Sequence, residues 1–460
     1  MGRDVLAEID RLVHPRSVAI LGASAKEGKL GRLFMDAFIE AGFQPLYPIN
    51  PHEKRILGFR SYPSVKDVPA EVDLAIVVTP PDAVLGAVKE CAERGVRGVV
   101  IVSAGFGEKG GGGKSVEEEL SRLARESGTR LLGPNCLGIY CPRSKLPFPS
   151  RPPMRSGTVG MVSQSGSFGD LLTGAGAARG LTFSKAISVG NECDLTAVDI
   201  LEYLGEDPET EIIVSYLEGI KDGRRFYRVA RSITPRKPII VWKCGVTEQG
   251  ARAAFSHTGA LAGSSEVWKA VLKQAGIVTA NSLEQVMDLL LAFYYLPLPR
   301  GRQVVVVSGP GGPAVGAADA CVQSGLELPE LSPKTRHELA EFVPAVGTSL
   351  DNPVDLGMNV LLSPRIYGQA VKVLAEEEGI DVLLVIGLAN QAFAETLLDA
   401  VKDLRKPLAL ALSHPPDIAP EIYLFLMERG IPVYGDARRA AEAIAKLAAY
   451  REFREETEAA

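Results

Sequence analysis

The stretch SVAILGASAKEGKLGRLFMDAFIEAG, residues 17–42, decides the fold class. It opens with a short apolar run, SVAILG (17–22), of the kind that forms a parallel strand buried on both faces. It closes with GRLFMDAFIEAG (31–42), apolar on a helical period and stopped by Gly42. Between the two lie Gly22, Ala23 and Ser24, then Gly28 and Gly31. Residues this small let backbone N–H groups approach a phosphate at the helix N-terminus. The spacing departs from the full dinucleotide fingerprint, so the turn alone indicates an anion site and no particular nucleotide.

Outward from this unit the pattern repeats. LAIVV (74–78) and GVVIVSAG (98–105) read as further buried strands, with helix DAVLGAVKECAERG (82–95) between them, opened by Asp82 and closed by Gly95. The passage CPRSKLPFPSRPPMRSG (141–157), with five prolines and no helical period, predicts an extended linker. A second unit follows: TVGMVS (158–163), a helix near 166–179, SKAISVG (184–190), EIIVSYLE (211–218) and KPIIVWKCG (237–245). After the break LPLPRGRQ (296–303), a third begins with QVVVVSG (303–309), VLLVIGL (382–388) and PLALALS (407–413) and ends on a helix at 437–450. Repeated βαβ winding predicts an α/β chain of three consecutive doubly wound domains, 1–142, 143–298 and 299–460. The three occupy the whole length.

Composition narrows the function classes. The 460 residues are 46% hydrophobic and 23% charged, with 47 glycines and 31 prolines, an excess that suits many tight turns. A net charge of −6 offers no general attraction to nucleic acid or anionic lipid. No run of about 18 uncharged apolar residues is present to span a membrane. The start MGRDVLAEIDRLVHP is too charged for a signal peptide, and a cytoplasmic protein is expected. Cysteines 91, 136, 141, 193, 244 and 321 form no CxxC pair and are expected as free thiols. Histidines 14, 52, 257, 337 and 414 show no ligand spacing, and no metal is expected on this chain.

Position 50 is the informative one in the first domain. An NAD enzyme carries Asp or Glu at the end of its second strand, to hold the ribose diol. Here PLYPIN (45–50) ends on Asn50, followed by Pro51, His52, Glu53, Lys54 and Arg55. An uncharged amide ahead of two cations suits a ribose phosphate, as on NADP or on the 3′-phosphoadenosine end of coenzyme A. Loops VTPPDA (78–83), SAGFGE (103–108) and GPNCLG (133–138) should line the same strand-end crevice, which makes Thr79, Pro80, Ser103, Gly105 and Asn135 candidate contacts.

The second domain repeats the strand–turn–helix device with Ser163, Ser165, Gly166 and Ser167, and the third with Gly309, Gly311 and Gly312. Neither carries the Lys-Ser/Thr of a P-loop, which points to a phosphoryl group in transit rather than a held triphosphate. Between them lies His257, in the small-residue segment GVTEQGARAAFSHTGALAGSS (245–265). An imidazole can carry a phosphoryl group on one nitrogen while a carboxylate holds the other as N–H. Glu218, ending a strand on the ligand edge, is the candidate carboxylate.

These residues resemble the α subunits of the NDP-forming acyl-CoA synthetases and, more distantly, succinyl-CoA synthetase. The resemblance rests on VAILGAS (18–24), YPINP (47–51), GPNCLG (133–138), SQSGSFG (163–169), SVGN (188–191), YLEG (216–219), SHTGALAG (256–263) and VSGPGGPAV (307–315). It implies a Rossmann-like CoA-binding domain followed by two flavodoxin-like domains. It implies His257 as the phosphorylated histidine and Glu218 as its stabilising carboxylate. Ser163, Ser165, Gly166, Gly309, Gly311 and Gly312 would hold the phosphoryl group at two helix N-termini. Coenzyme A would lie across Gly22, Ser24, Lys29, Asn50, Pro51, Lys54, Thr79, Pro80, Ser103, Gly105 and Asn135. The implied reaction takes acyl-CoA, phosphate and ADP to acid, CoA and ATP, reversibly, through acyl phosphate and phosphohistidine. The family's ATP-grasp module has no room here, so the resemblance implies a β subunit that holds ADP or ATP with magnesium, in an α2β2 heterotetramer.

Three other readings fit less of the chain. Ser165, Glu218 and His257 follow the Ser–acid–His order of α/β-hydrolases, but the turn reads SQSGS rather than G-x-S-x-G. A non-catalytic CoA-binding regulatory protein would not need both His257 and Glu218. An NADP-dependent oxidoreductase would account for the first domain alone.

Overall fold

The computed structural model describes residues 2–109, 112–252, 263–309, 311–414 and 418–459. Three parallel-stranded sheets with flanking helices account for the chain, as the alternating pattern predicts. The first holds β1 (Val18–Leu21), β2 (Leu46–Ile49), β5 (Leu74–Val77), β6 (Gly98–Ile101) and β7 (Arg130–Leu132), in the order β2-β1-β5-β6-β7, with β3 (Arg55–Ile56) and β4 (Phe59–Arg60) as a small hairpin beside it. Val18 pairs with Leu46 on one side and Leu74 on the other. The chain thus leaves β1 in opposite directions, through α2 (Leu30–Glu40) to β2 and later back to β5. In open α/β sheets that reversal opens a crevice at the strands' carboxyl ends.

The second sheet repeats the plan around β9 (Ser156–Ser163). Its order is β13-β12-β11-β9-β10-β8, with β8 (Gly138–Tyr140), β10 (Phe183–Ser188), β11 (Ile212–Leu217), β12 (Ile239–Lys243) and β13 (Val278–Ala280). Helix α5 (Gly166–Ala177) leads from β9 to β10 and α6 (Ala197–Glu206) from β10 to β11, so the reversal lies between β9 and β11. The third sheet runs β15-β14-β16-β17-β18, with β14 (Val304–Ser308), β15 (Val354–Asp355), β16 (Val382–Gly387), β17 (Leu408–Leu412) and β18 (Val433–Tyr434).

Every residue of β1, β5, β6, β14, β16 and β17 is buried, which is why these strands read as near-continuous apolar runs rather than alternating ones; β10 is buried throughout as well but carries Ser184, Lys185 and Ser188. The helix starts follow their chemistry. Thr196 and Asp199 exchange bonds in a capping box at α6, Asp222 caps α7 (Gly223–Ile233), and Pro81 opens α3 (Pro81–Glu93).

The chain divides into two compact units, residues 1–177 with 182–281, and residues 178–181 with 282–460. Within the first unit, Arg130 at the start of β7 bonds both carboxylate oxygens of Asp194 (2.8 and 2.9 Å) and Glu8 of helix α1 (Gly2–Val13), and so ties the first two sheets together. Lys185, fully buried in β10, is neutralised by Asp207 at 2.6 Å. Within the second unit, Arg439 donates to both oxygens of Asp288 (2.7 and 2.8 Å) and joins the helices Leu283–Tyr295 and Ala437–Ala459.

Two elements differ from the sequence reading. The passage expected as linker is preceded by β8, a three-residue strand antiparallel to β10, and is anchored by buried Leu146 and Phe148, the latter packed on Tyr140. Gly138-Ile139-Tyr140 is too short to carry an alternation signal. The last helix continues to Ala459, nine residues beyond the expected end, because its exposed tail is laced by Arg451–Glu455 and Arg454–Glu458 pairs one turn apart.

Candidate functional site

In the first domain the strand-end edge collects most of the expected contacts. Gly22 has φ +90°, and a β-carbon there would stand 3.1 Å from Thr79 N; this is where β1 and β5 part. Gly31 packs closer still: a β-carbon would lie 2.0 Å from the Gly22 carbonyl oxygen, so only glycine lets α2 start against this turn. Ser103 Oγ donates to Thr79 O at 2.5 Å, and Asn135 N donates to Ser103 O at 3.0 Å. Gly22, Thr79, Ser103 and Asn135 therefore form one continuous row across β1, β5, β6 and β7. The buried Thr79 Oγ1 has no hydrogen-bond partner among the described residues.

Three expected contacts have other work in this structure. Asn50 Nδ2 donates to Ala23 O (2.9 Å) and its Oδ1 accepts from His52 N (2.8 Å), so the amide braces the glycine turn from the end of β2. The N–H of Gly105 bonds the Glu108 carboxylate, which also accepts from Phe106 N at 3.1 Å; these bonds hold the Glu108 carboxyl below its usual range, against the opposing effect of burial. Ser24 Oγ accepts from Lys26 N. Lys29, Pro51, Pro80 and Lys54 are exposed around the row, with Lys29 preceding α2. Asn191, from the loop after β10, reaches across with Nδ2 2.7 Å from both Glu108 and Glu117 and Oδ1 3.3 Å from Asn135 Nδ2.

The second domain builds a denser site where β9 and β11 part. Ser163 Oγ donates to Ser165 O (2.6 Å) and accepts from Ser165 N (3.2 Å), while Ser165 Oγ accepts from Phe168 N at the first turn of α5. The N–H groups that open a helix have no partner within it, so Gly166 and Ser167 start α5 with donors directed outward. Gly166 sits against the GPNCLG loop: a β-carbon would be 3.0 Å from Leu137 Cβ.

Glu218 follows β11 directly and is 4% exposed. Its backbone is clamped on two sides. Gln164 Oε1 accepts from both Glu218 N and Gly219 N, and Gln164 Nε2 donates to Gly219 O (2.7 Å) and Glu192 Oε1 (2.9 Å). Lys243, ending β12, donates from Nζ to Glu218 O (2.8 Å) and to Cys244 O, with the Trp268 ring 4.9 Å away. Burial pulls the Lys243 ammonium down to about 8, with neighbouring Cys244 and Glu218 opposing the shift. Phe168, Tyr216 and Trp242 stack together beside this turn, centroids 4.6–5.4 Å apart. His257 lies outside the described residues.

In the second unit, a β-carbon on Gly309 would meet Val360 and the Tyr367 hydroxyl at 2.5 and 2.7 Å, and one on Gly311 would meet Asp355 Oδ2 at 2.6 Å; Gly312 is open. Asp355 thus already places a carboxylate at the start of helix Gly311–Gln323, where the helix dipole favours it. Gln164, Asn191, Glu192, Lys243 and Asp355 all escaped the sequence reading. Gln164 and Asn191 lie inside the quoted motifs SQSGSFG and SVGN, yet an amide between small residues carries no chemical signature of its own. Among the described residues no cluster of His, Cys, Asp and Glu suits a metal, and no helix is long and apolar enough to cross a membrane.

Comparison with known proteins bears on this geometry. Three family models match in succession: a CoA binding domain over residues 16–142, a succinyl-CoA ligase like flavodoxin domain over 156–293 and a Ligase-CoA domain over 304–453. The α subunit of the ADP-forming acetate–CoA ligase II of Pyrococcus furiosus is 39% identical, covering 96% of this chain and 98% of its own. The ADP-forming acetate–CoA ligase I of Archaeoglobus fulgidus is 38% identical and longer, so that this chain spans 64% of it. The solved dinucleotide-forming acetyl-coenzyme A synthetase 1 of Ca. Korarchaeum cryptofilum, in complex with phosphate and ADP, superposes with a TM-score of 0.88 at 35% identity over 97% of both chains. With near-complete coverage in sequence and in fold, the chain belongs to the family of the ADP-forming acetate–CoA ligase α subunits.

Proposed function

We propose that this chain is the α subunit of an ADP-forming acyl-CoA synthetase, an acid–thiol ligase that interconverts acyl-CoA, phosphate and ADP with acid, CoA and ATP. Residues 1–142 bind CoA along the row Gly22, Thr79, Ser103 and Asn135, with Lys29 and Lys54 near its nucleotide phosphates. Residues 143–298 carry the phosphohistidine, and 299–460 form the ligase-type domain. The limits of the three family models support this division.

The chemistry proceeds in balanced steps. Phosphate oxygen attacks the thioester carbonyl, the C–S bond breaks, and acyl phosphate and CoA thiol result. A nitrogen of His257 then attacks phosphorus, the P–O bond to the acyl group breaks, and the carboxylate leaves. Glu218 accepts the other ring N–H and stabilises the imidazolium character of the phosphorylated ring. The N–H groups opening α5 at Ser165 and Gly166 stabilise the phosphoryl oxygens, and the helix beginning at Gly311 offers a second such terminus. Phosphohistidine finally passes its phosphoryl group to ADP. ADP and its magnesium are held by an ATP-grasp partner subunit in an α2β2 assembly; the subunit naming of the Pyrococcus relatives supports a partner.

One observation carries this reading. A buried carboxylate, Glu218, stands at the point where β9 and β11 part, beside a helix N-terminus, as a carboxylate partner of His257 and a bound phosphoryl group requires. Incubating the chain with radioactive acetyl phosphate should place an acid-labile, alkali-stable label on His257. His257→Ala should abolish the label while CoA affinity stays unchanged, and Glu218→Gln should slow labelling by at least about 100-fold, the scale of a lost electrostatic partner at a reacting group. Label on Ser165 instead would overturn the reading.

A further inference from the structure

The Glu218 carboxylate is useful only if its backbone stands in one place, and that backbone follows the last residue of a strand, where ladder bonds end. Gln164 replaces them. Its amide is satisfied at all four positions, with two N–H donors into Oε1 and two acceptors for Nε2. Because both partners of Nε2 are acceptors and both partners of Oε1 are donors, only one orientation of the amide fits. The Glu218–Gly219 backbone and Glu192 select that orientation together. The Glu192 carboxylate is 5% exposed and turned inward by a left-handed backbone (φ +58°). Its Oε1 accepts from Gln164 Nε2 and from Ala197 N at the start of α6.

We infer that Gln164, oriented by Glu192 and the Glu218–Gly219 backbone, is the positioning residue that sets where Glu218 meets the phosphorylated histidine. The inference rests on the function proposed above and adds to it a residue that acts through the Glu218–Gly219 backbone. A buried acceptor facing acceptors is costly, so a carboxylate at position 164 would repel both Gly219 O and Glu192 and release the turn. The other charged groups around the clamp are Lys243 beneath Glu218, Lys221, which donates to the Asn191 and Glu192 carbonyls, and Asp199, which opposes ionisation of Glu192. Burial, the largest influence on Glu192, also raises its carboxyl above the usual range.

The test is the rate of His257 labelling by radioactive acetyl phosphate, with CoA affinity as a control seated on the first domain. Gln164→Glu should slow labelling at least tenfold at pH 8 with CoA affinity within twofold of wild type. Labelling should recover as pH falls toward 5.5, where a shared proton restores the donor between positions 164 and 192, while wild type shows no such recovery. The double variant Gln164→Glu with Glu192→Gln re-creates a donor–acceptor pair in the opposite sense between these two positions and should recover part of the rate at pH 8, the Gly219 carbonyl still lacking its donor. A wild-type rate in Gln164→Glu, or a loss that neither acid nor the second substitution repairs, overturns the inference. Should Gln164→Glu not fold, Gln164→Asn withdraws the same amide by one methylene; a fivefold slower rate supports the inference and an unchanged one refutes it. If wild type takes no label at His257, the proposed function itself fails; if wild type labels and the variants label equally fast, only the role of Gln164 does.

Discussion

The turn after β1 and the turn after β9 do the same job by opposite means. Each ends a central strand where its sheet reverses, and each opens a helix toward the ligand edge. In the first, shape does the work: Gly31 lets α2 sit against Gly22, and Asn50 and Arg32 only pin the carbonyls of Ala23 and Ala25. In the second, side chains do the work: Ser163, Ser165 and Gln164 supply the bonds that the backbone cannot make, and a β-carbon on the helix glycine Gly166 would meet Leu137 Cβ, Leu137 N and Ser188 Oγ at 3.0–3.5 Å. A turn built on missing atoms binds an extended ligand by letting its backbone come near. A turn built on hydroxyls and an amide holds catalytic groups at fixed distances. That division fits the proposal that the first domain binds CoA and the second performs transfer.

The contrast breaks most sharply at Gly31. Adding one methyl places carbon 2.0 Å from a backbone oxygen, a clash no rotamer can relieve. Gly31→Ala should cost about 3 kcal/mol or more, at the upper end for overpacking, and should abolish CoA binding; urea unfolding and calorimetric titration would show both. Next in size is Ser163→Ala. The hydroxyl is fully buried and bonds both the N–H and the carbonyl of Ser165, of which the carbonyl also accepts from Gly169 N, so its loss should cost about 2 kcal/mol, chiefly through the orphaned N–H, and slow His257 labelling while CoA affinity holds. If Ser163→Ala weakens CoA binding and leaves labelling intact, the assignment of the two turns is reversed.

The difference also explains what was legible in the sequence. Glycine at 22 and 31 is visible because absence of a side chain is a residue type, and buried parallel strands are visible because they are continuous apolar runs. The row Gly22, Thr79, Ser103 and Asn135 follows from strand ends alone. Glu218 was legible as an acid closing an apolar strand. Gln164, Glu192 and Lys243 were not, since each acts through a partner 25 to 55 residues away and nothing local distinguishes it from a surface residue. Asn50 was read as a ligand contact from its place at a strand end; the structure shows the same amide bracing the turn, a use the pattern cannot separate from binding.

Lys243 offers a pH test of the second turn. Burial lowers its folded value from 10.5 to about 8, so in that window the unfolded chain binds the proton more tightly. Stability contributed by this group must therefore rise with pH, by up to about 1 kcal/mol between pH 8 and 9. Lys243→Met should remove that slope whatever it does to absolute stability. Urea midpoints of both proteins at the two pH values read the difference, and parallel midpoints would mean that the amine is not held in the buried clamp.

The smallest effect is the most diagnostic. At Gly166 a β-carbon would press on Leu137 Cβ at 3.0 Å and Leu137 N at 3.3 Å, contacts that the loop carrying Leu137 relieves by moving a few tenths of an ångström. Alanine in a helix is favoured over glycine by about 0.5–1 kcal/mol, which offsets that strain. Gly166→Ala should therefore leave the unfolding midpoint almost unchanged, in contrast with Gly31→Ala, although both add the same methyl to the start of a ligand-edge helix. A loss of several kcal/mol at Gly166 would mean that the second turn also depends on close backbone approach, and that its serines and glutamine are secondary to shape.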